Sequence, residues 1–198
     1  MRILLFGGFL GSGKTTTMLQ VAKYLTDVHQ ETVAIIENEV GAAGIDDKLF
    51  SASGLKVKQL FGGCVCCQIG SDLISAISEI HGSIHPDWLL IEMTGLAFPS
   101  KTAATIKKYS TVYSAFKTVT IVDRARWSEL KLMLEPLVTG QIKGSDLIVL
   151  NKTDLIAGED VKSIIKDLKE IDAHITVVIT SAINELPPDV LEEIVSYE

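Results

Sequence analysis

Short apolar runs alternate along this chain with longer segments in which apolar residues recur at helical spacing. The runs predict strands at Ile3–Phe6, Thr32–Ile36, Trp88–Ile91, Thr118–Val122, Leu147–Leu150 and Ile175–Ile179. The intervening segments start with polar residues and predict amphipathic helices at Lys14–Thr26, Ser71–Ile80, Ser100–Tyr109, Trp127–Leu134, Asp160–Ile171 and Asp189–Val195. This alternation predicts an α/β fold with three layers, in which helices cover both faces of a mostly parallel sheet.

Composition narrows the class of protein. The chain has 198 residues, and no repeat or Pro/Gly/Ser-rich linker divides it, so we expect a single domain over residues 1–198 with no second C-terminal domain. The net charge is -7 without a basic block, which argues against a nucleic-acid partner. Apolar runs such as Trp88–Ile91 are far shorter than the roughly 20 residues that span a bilayer. We expect a cytoplasmic protein with no membrane partner.

A glycine-rich loop follows the first predicted strand and opens the first predicted helix. It reads Gly8-Phe-Leu-Gly-Ser-Gly-Lys-Thr15 and matches the phosphate-binding pattern G-x-x-x-x-G-K-[ST]. Its backbone N–H groups would surround a β-phosphate, Lys14 would reach the β- and γ-phosphates, and the Thr15 hydroxyl would ligate Mg²⁺. The candidate nucleotide-binding residues here are Gly8, Gly11, Ser12, Gly13, Lys14, Thr15 and Thr16.

The motif Asn-Lys-x-Asp follows the strand predicted at Leu147–Leu150 and indicates which base is bound. The Asp154 carboxylate can accept hydrogen bonds from guanine N1–H and from its exocyclic amine, and adenine does not present these donors. After the next strand, Ser181 and Ala182 lie in a loop that could contact the guanine edge. The candidate base-binding residues are Asn151, Lys152, Asp154, Ser181 and Ala182.

Acidic residues follow two further predicted strands, where ligands of a parallel sheet bind. Glu92 ends the strand at Trp88–Ile91, and Gly95 comes three residues later, which suits Mg²⁺ binding and sensing of a γ-phosphate. Glu39 and Asp46 lie in an acidic, Gly-rich segment that could position the attacking water, or that could simply be a solvated loop. The candidate catalytic residues are therefore Lys14, Glu39, Asp46 and Glu92.

All three cysteines fall within four consecutive positions, at Cys64, Cys66 and Cys67. Such spacing is poor for a disulfide framework and suits a thiolate metal site. Soft thiolates favour Zn²⁺ or Cu⁺, and tetrahedral Zn²⁺ needs a fourth ligand, from a client, Glu39, water or a second subunit. A redox couple and a set of small buried side chains are the alternative interpretations.

The five motifs together resemble those of the CobW-type GTPases, metallochaperones related to the urease and hydrogenase nickel-insertion GTPases. They are the G-x-x-x-x-G-K-T-T loop, Glu37-Asn-Glu-Val-Gly41, Gly63-Cys-Val-Cys-Cys67, Glu92-Met-Thr-Gly95 and Asn151-Lys-Thr-Asp154. The resemblance implies that GTP and Mg²⁺ order the thiolates, that a metal loads, and that hydrolysis to GDP releases it to a client metalloprotein or metallocofactor enzyme. It also implies a nucleotide-dependent homodimer. Larger members carry the C-terminal domain that we do not expect here.

The sequence therefore predicts a slow GTPase that couples its cycle to binding and delivery of a transition metal, Zn²⁺ first, with Co²⁺ or Ni²⁺ as alternatives. A small-molecule kinase would use the same phosphate loop but would leave Asn151–Asp154 and the cysteines unexplained. A non-enzymatic metal or redox sensor, in which the nucleotide only stabilises the fold, is the other alternative.

Overall fold

The protein was analysed as a computed structural model, which describes residues 1–37, 56–59, 69–155 and 160–197. The strands of this part of the chain are β1 (Arg2–Gly8), β2 (Val33–Glu37), β3 (Lys56–Gln59), β4 (Trp88–Glu92), β5 (Ala115–Asp123), β6 (Leu147–Asn151) and β7 (Thr176–Ile179). They form one sheet in the order β3-β2-β4-β1-β5-β6-β7, and each pairing is parallel. The predicted parallel α/β fold is confirmed.

Helices connect these strands. They are α1 (Lys14–Asp27), α2 (Ile69–Ile84), α3 (Pro99–Tyr109), α4 (Trp127–Ile142), α5 (Val161–Ile171) and α6 (Pro188–Val195), with a 3₁₀ turn at Arg124–Arg126 before α4. A lipid bilayer could not be crossed by any helix in the described ranges, since each is too short or too polar. Every predicted helix is present, and the ends of most lie within two residues of the predicted ones.

Two elements differ most from the prediction, and two others differ at one end, since α2 ends at Ile84 rather than Ile80 and β5 begins at Ala115 rather than Thr118. The strand β3 was not predicted, because its sequence, Lys-Val-Lys-Gln, contains a single apolar residue and gives no alternation to detect. Helix α4 was predicted to end at Leu134, and it continues to Ile142. Leu134 has φ -135° and ψ 32°, outside the helical region, and Pro136 follows, so the helix is kinked where the pattern predicted its end.

The core lies on both faces of the sheet, with β1 at its centre. Side chains of Leu4 and Phe6 pack on one face beneath α1 and α6, and those of Ile3 and Leu5 pack on the other face beneath α2 and α3. Helices α4 and α5 cover the latter face over β5 and β6. All four of these β1 side chains are fully buried. This packing confirms the predicted three layers.

Parallel register brings the carboxyl ends of the strands to one edge. Phe6 of β1 is aligned with Glu92 of β4, and Gly8 is aligned with Ile121 of β5. Asp123 at the end of β5 is aligned with Asn151 at the end of β6. The residues that follow β1, β4, β5 and β6 therefore meet at one side of the domain, where ligands bind in sheets of this kind.

At the opposite edge, a carboxylate joins the starts of β2 and β4. Asp87 accepts hydrogen bonds from the backbone N–H of Thr32, at 2.8 Å, and from its hydroxyl, at 2.9 Å. The backbone hydrogen bond is the main cause that holds the pKa of Asp87 below its ordinary value. The ionised form is thus favoured in the folded state.

We predict that Asp87→Ala lowers the free energy of unfolding by about 1 kcal/mol at neutral pH, since Asp87 is exposed and loses two hydrogen bonds. Because the folded pKa is lowered, this stabilisation is present above the ordinary pKa of 3.8 and is lost as the pH falls through the folded value. Urea denaturation of both proteins between pH 7 and pH 3 measures the difference. The exposed Glu185→Ala is the control, and a difference that stays constant down to the lowest pH would contradict the assignment.

Candidate nucleotide-binding site

The loop between β1 and α1 contains three glycines with positive φ angles, and two of them, Gly8 and Gly13, bring the backbone close to neighbouring atoms. Gly8, Gly11 and Gly13 have φ angles of 127°, 74° and 99°, which side chains other than glycine rarely adopt. A Cβ on Gly8 would lie 2.2 Å from the carbonyl oxygen of Ile121, and one on Gly13 would lie 2.3 Å from the Asn151 side-chain nitrogen. Gly13 immediately precedes α1, so the loop adjoins the start of a helix, where N–H groups and the helix dipole favour an anion.

The C-terminal end of this loop carries an ammonium group, on Lys14, and a hydroxyl group, on Thr15. Lys14 is 3% exposed, and its ammonium group donates a hydrogen bond to the Phe9 carbonyl oxygen at 3.2 Å. The Thr15 hydroxyl donates to Oε1 of Glu92 at 2.9 Å, and Glu92 is 2% exposed. The Thr15 hydroxyl and the Glu92 carboxylate are both oxygen ligands of the kind that Mg²⁺ prefers. Water and phosphate oxygens would supply the remaining ligands. The structure thus brings together the residues predicted for magnesium.

The turn after β4 packs directly on the phosphate loop. A Cβ on Gly95 would lie 2.5 Å from the backbone nitrogen of Leu10, so the two backbones are in contact with no side chain between them. The same turn is closed by a hydrogen bond from the Ala97 N–H to the Thr94 carbonyl, at 3.1 Å. Residues 92–95 therefore contact the phosphate loop twice, through Glu92 and through Gly95, as a segment that senses a γ-phosphate must.

Asn151 joins three segments of the site and is 2% exposed. Its side-chain nitrogen donates to the carbonyl oxygen of Ser12 at 2.8 Å, and its side-chain oxygen accepts from the N–H of Ala182 at 2.8 Å. The phosphate loop, the end of β6 and the loop after β7 are thus held at fixed distances. This residue organises the site, because both ends of its amide bond to backbone groups of other segments.

A cavity of about 480 Å³ opens between these segments, a size typical of small-molecule sites. The Asp154 carboxylate lies at this cavity and accepts a hydrogen bond from the Ser181 hydroxyl. Leu155 and Ile183, which were not predicted as site residues, add apolar surface, and they are 43% and 80% exposed. The predicted residues that line the cavity are Gly11, Gly13, Thr16, Asn151, Lys152, Asp154, Ser181 and Ala182. Gly8, Ser12, Lys14 and Thr15 lie beside it in the phosphate loop.

Lys152 has a partner that the sequence analysis missed. It adopts φ 62°, and its ammonium group lies 2.7 Å from Oδ2 of Asp123. Asp123 is 3% exposed, and its other oxygen accepts from the N–H of Ala125 at 2.9 Å. The ion pair holds the lysine stem along the cavity wall. Asp123 ends strand β5, so the rule that ligand-site residues follow strands could have found it.

Gln20 and Arg124 also position the base end, and the sequence analysis missed both. The Gln20 side-chain nitrogen donates to the carbonyl of Ala182 at 2.8 Å, and its oxygen accepts from the N–H of Leu186 at 2.7 Å. Arg124 donates to the carbonyl oxygen of Leu155 at 2.7 Å. A single polar residue on a helix or a turn carries no motif, so the sequence alone offers no signal for these contacts.

Several predicted residues lie outside the described ranges. These are the candidate water-positioning acids Glu39 and Asp46 and the candidate metal ligands Cys64, Cys66 and Cys67. Their roles remain predictions. In the described part of the chain, no group of three or more His, Cys, Asp and Glu side chains could hold a metal ion.

We predict that Asn151→Ala lowers the free energy of unfolding by about 2–3 kcal/mol, because it leaves a buried carbonyl and a buried N–H without their partner. It should also weaken binding of a guanine nucleotide. Asn184→Ala is the matched control, since Asn184 lies in the loop after β7, which Asn151 contacts at Ala182, and is exposed. Urea denaturation without nucleotide and titration with a fluorescent GDP measure both effects. Equal effects of the two substitutions would show that Asn151 does not organise the site.

Known proteins resemble this chain in sequence over most of its length. The zinc chaperone YjiA of Escherichia coli strain K12 is 32% identical over 165 residues, which cover 79% of this chain and 50% of that protein. The zinc chaperone YeiR of the same organism is 34% identical over 155 residues, which cover 77% of this chain and 47% of that protein. The chain thus spans about half the length of the curated relatives it matches.

Solved structures share the fold. The Zn(II)-bound YjiA GTPase from E. coli superposes with a TM-score of 0.69 at 25% identity, over 96% of this chain and 60% of that one. HypB from Helicobacter pylori in complex with nickel gives a TM-score of 0.66 at 18% identity, over 98% of this chain and 83% of that one. The model of the CobW/HypB/UreG nucleotide-binding domain matches residues 2–179. The chain therefore belongs to the CobW/HypB/UreG family of nucleotide-binding domains.

Proposed function

We propose that this chain binds GTP with Mg²⁺, hydrolyses it slowly, and uses the cycle to bind a transition metal and deliver it to a client metalloprotein or metallocofactor enzyme. The observation that carries the proposal is the arrangement of one continuous site, with Thr15 and Glu92 2.9 Å apart at its phosphate end and Asp154 beside a cavity at its base end. Relatives named zinc chaperones, and a neighbour named a GTPase, support it.

Guanine is the base that fits the cavity. The Asp154 carboxylate is held by the Ser181 hydroxyl, so its second oxygen can accept from the donors on the guanine edge. Adenine would bring no N1–H there and would leave that second oxygen without a donor once the base covers it, which costs about 1–3 kcal/mol. The apolar surfaces of Leu155 and Ile183 flank the cavity and suit a planar ring.

Hydrolysis is assigned to groups at the phosphate end. A γ-phosphate oxygen would replace the Phe9 carbonyl as the acceptor from Lys14, and the nearly buried ammonium group would stabilise charge on the transferring phosphoryl group. Mg²⁺ held by Thr15 and Glu92 would neutralise charge on the β- and γ-phosphates. We assign the positioning of the attacking water to Glu39 or Asp46. Preorganised charge without a strong base is consistent with slow turnover.

The register of the sheet supports coupling between the nucleotide and the cysteines. Gln59 of β3 is aligned with Glu37 of β2, and Glu37 is aligned with Glu92 of β4. At about 4.8 Å per strand spacing, the chain leaves β3 towards Cys64 only about 10 Å from the magnesium-binding acid. A change at the γ-phosphate therefore has a short path to the segment that holds the thiolates.

The cargo is proposed to be zinc, with cobalt or nickel as alternatives, bound by Cys64, Cys66 and Cys67. Three thiolates leave a fourth tetrahedral position open, so the metal can pass to a ligand of the client. A nucleotide-dependent homodimer, in which a second subunit lies against the site, belongs to the same proposal.

We predict that Asp154→Asn changes the base preference from guanine to xanthine. An asparagine oxygen can accept from the N1–H of xanthine, and its amide nitrogen can donate to the C2 carbonyl. With guanine, the same amide nitrogen would face the exocyclic amine, which is also a donor. GDP affinity should fall at least about tenfold and XDP affinity should rise, as expected when a site is matched to one hydrogen-bond pattern. Titration with fluorescent GDP, XDP and ADP measures this, with the exposed Asp160→Asn as the control. Wild-type binding of ADP as tight as that of GDP would favour the kinase alternative.

We predict that GTP-Mg²⁺ tightens zinc binding at least about tenfold relative to GDP-Mg²⁺, a coupling of about 1.4 kcal/mol, and that Cys66→Ala abolishes the difference. Competition with a chromophoric chelator measures the affinity. His85→Ala is the control for adventitious zinc, because the rings of His81 and His85 lie 5.6 Å apart and could bind the ion weakly. If zinc affinity is the same with GTP-Mg²⁺ and with GDP-Mg²⁺, coupling between nucleotide and metal is contradicted and the redox or sensor alternative is favoured.

A further inference from the structure

A buried glutamine on α4 holds the turn that follows β4. Gln141 is 3% exposed, and its side-chain nitrogen donates to the carbonyl oxygens of Gly95, at 2.9 Å, and Ala97, at 3.2 Å. Both donor hydrogens of one amide group are thus directed at the same short turn. No residue predicted from the sequence accounts for this contact, and Gln141 does not line the nucleotide cavity.

The turn that Gln141 holds lies at the phosphate end of the site. The Gly95 backbone contacts the Leu10 backbone, and Glu92, at the start of the turn, accepts from Thr15. The base cavity lies beside Gly13, Asn151 and Asp154 instead. A displacement of the Gly95 peptide group would therefore alter contacts at the phosphate end, next to the Glu92 carboxylate, more than contacts with the base.

Gln141 itself is fixed by its surroundings. Its backbone carbonyl oxygen accepts from the hydroxyls of Ser145, at 3.1 Å, and Thr120, at 3.3 Å, and these hydroxyls lie 2.7 Å apart. The preceding residue, Gly140, lies against the Phe98 ring, where a Cβ would come within 2.3 Å of a ring carbon. The end of α4 is thus packed on β5 and on the residues just past the turn, so the amide has little freedom to move.

We propose that Gln141 is a positioning residue that keeps the Gly95–Ala97 turn in the conformation that recognises a γ-phosphate, and so sets the preference of the chain for GTP over GDP. The inference rests on the proposed function. The chemistry requires an amide: a leucine leaves both carbonyls without a donor, and an ionised glutamate repels them. A helix outside the nucleotide site thereby determines the nucleotide state that the site favours.

The test compares Gln141→Leu with Ser145→Ala. Gln141→Leu removes the donor to the turn, whereas Ser145→Ala removes a buried hydroxyl at the same helix end but leaves in place the Thr120 hydroxyl on the Gln141 carbonyl and both side-chain hydrogen bonds to the turn. Affinities for a non-hydrolysable GTP analogue and for GDP are measured by fluorescence titration with Mg²⁺. We expect Gln141→Leu to weaken binding of the GTP analogue at least about tenfold with GDP affinity within about twofold of wild type, and Ser145→Ala to leave the ratio of the two affinities unchanged.

Gln141→Glu is the second variant. It keeps the size of the side chain, and it provides the test if Gln141→Leu does not fold. Burial favours the neutral carboxyl, which can donate one hydrogen bond, so the affinity ratio should recover towards wild type as the pH is lowered. A role in stability alone would not produce this recovery. If the wild type prefers the GTP analogue and both Gln141 variants prefer it equally, the inference is overturned. A wild type that binds both nucleotides equally would overturn this inference alone, whereas a wild type that binds neither guanine nucleotide would overturn the proposed function and this inference with it.

Discussion

The candidate site depends on close approach of bare backbone to the phosphate loop. Gly8 contacts the Ile121 carbonyl, Gly13 contacts the Asn151 amide, and Gly95 contacts the backbone of Leu10, each at a distance that excludes a Cβ atom. These contacts put β5, β6 and the turn after β4 directly against one loop of a few residues. Since protein interiors are closely packed, a shift of the loop must be accommodated by all three neighbours.

This packing gives the two ends of the site different mechanical support. At the base end, Asn151 and Gln20 tie the loop after β7 to the phosphate loop and to α1 through buried or partly buried hydrogen bonds. At the phosphate end, the turn after β4 is held by Gln141 on α4. In the proposed cycle, the base would be bound in the same way in both nucleotide states, while the phosphate end would respond to the γ-phosphate. A switch needs this division of roles.

The metal part of the proposed function depends on strands β3, β2 and β4, which lie on the side of β1 away from β5 and β6. Strands β3, β2 and β4 end at the same level of the sheet, and the chain passes from β3 into the cysteine segment at that level. Any group that orders around the phosphate at Glu92 is thus near the start of that segment. The register of the two strand pairs brings the end of β3, from which the chain runs in sequence to the cysteines, within two strand spacings of Glu92, which supports the proposed coupling.

The sequence by itself determined the local elements and the local motifs. The strand at Ile3–Phe6, the phosphate loop and the Asn-Lys-x-Asp turn are each encoded by consecutive residues, and the structure confirms where they lie in the fold. The strand β3 escaped prediction because a short polar edge strand has no periodicity, and its place is decided by pairing with β2. The cysteine segment and the acids at Glu39 and Asp46 remain known from sequence alone.

Only the tertiary structure decided which polar residues support the site. Gln20 bonds to Ala182, 162 positions away, and Gln141 bonds to Gly95, 46 positions away. Asp123 pairs with Lys152 across the ends of two strands. Such contacts depend on the order and register of the strands and on helix packing, which local sequence does not fix. A glutamine on an amphipathic helix looks the same in sequence whether it faces water or holds a functional turn, and its burial and its partners decide between the two.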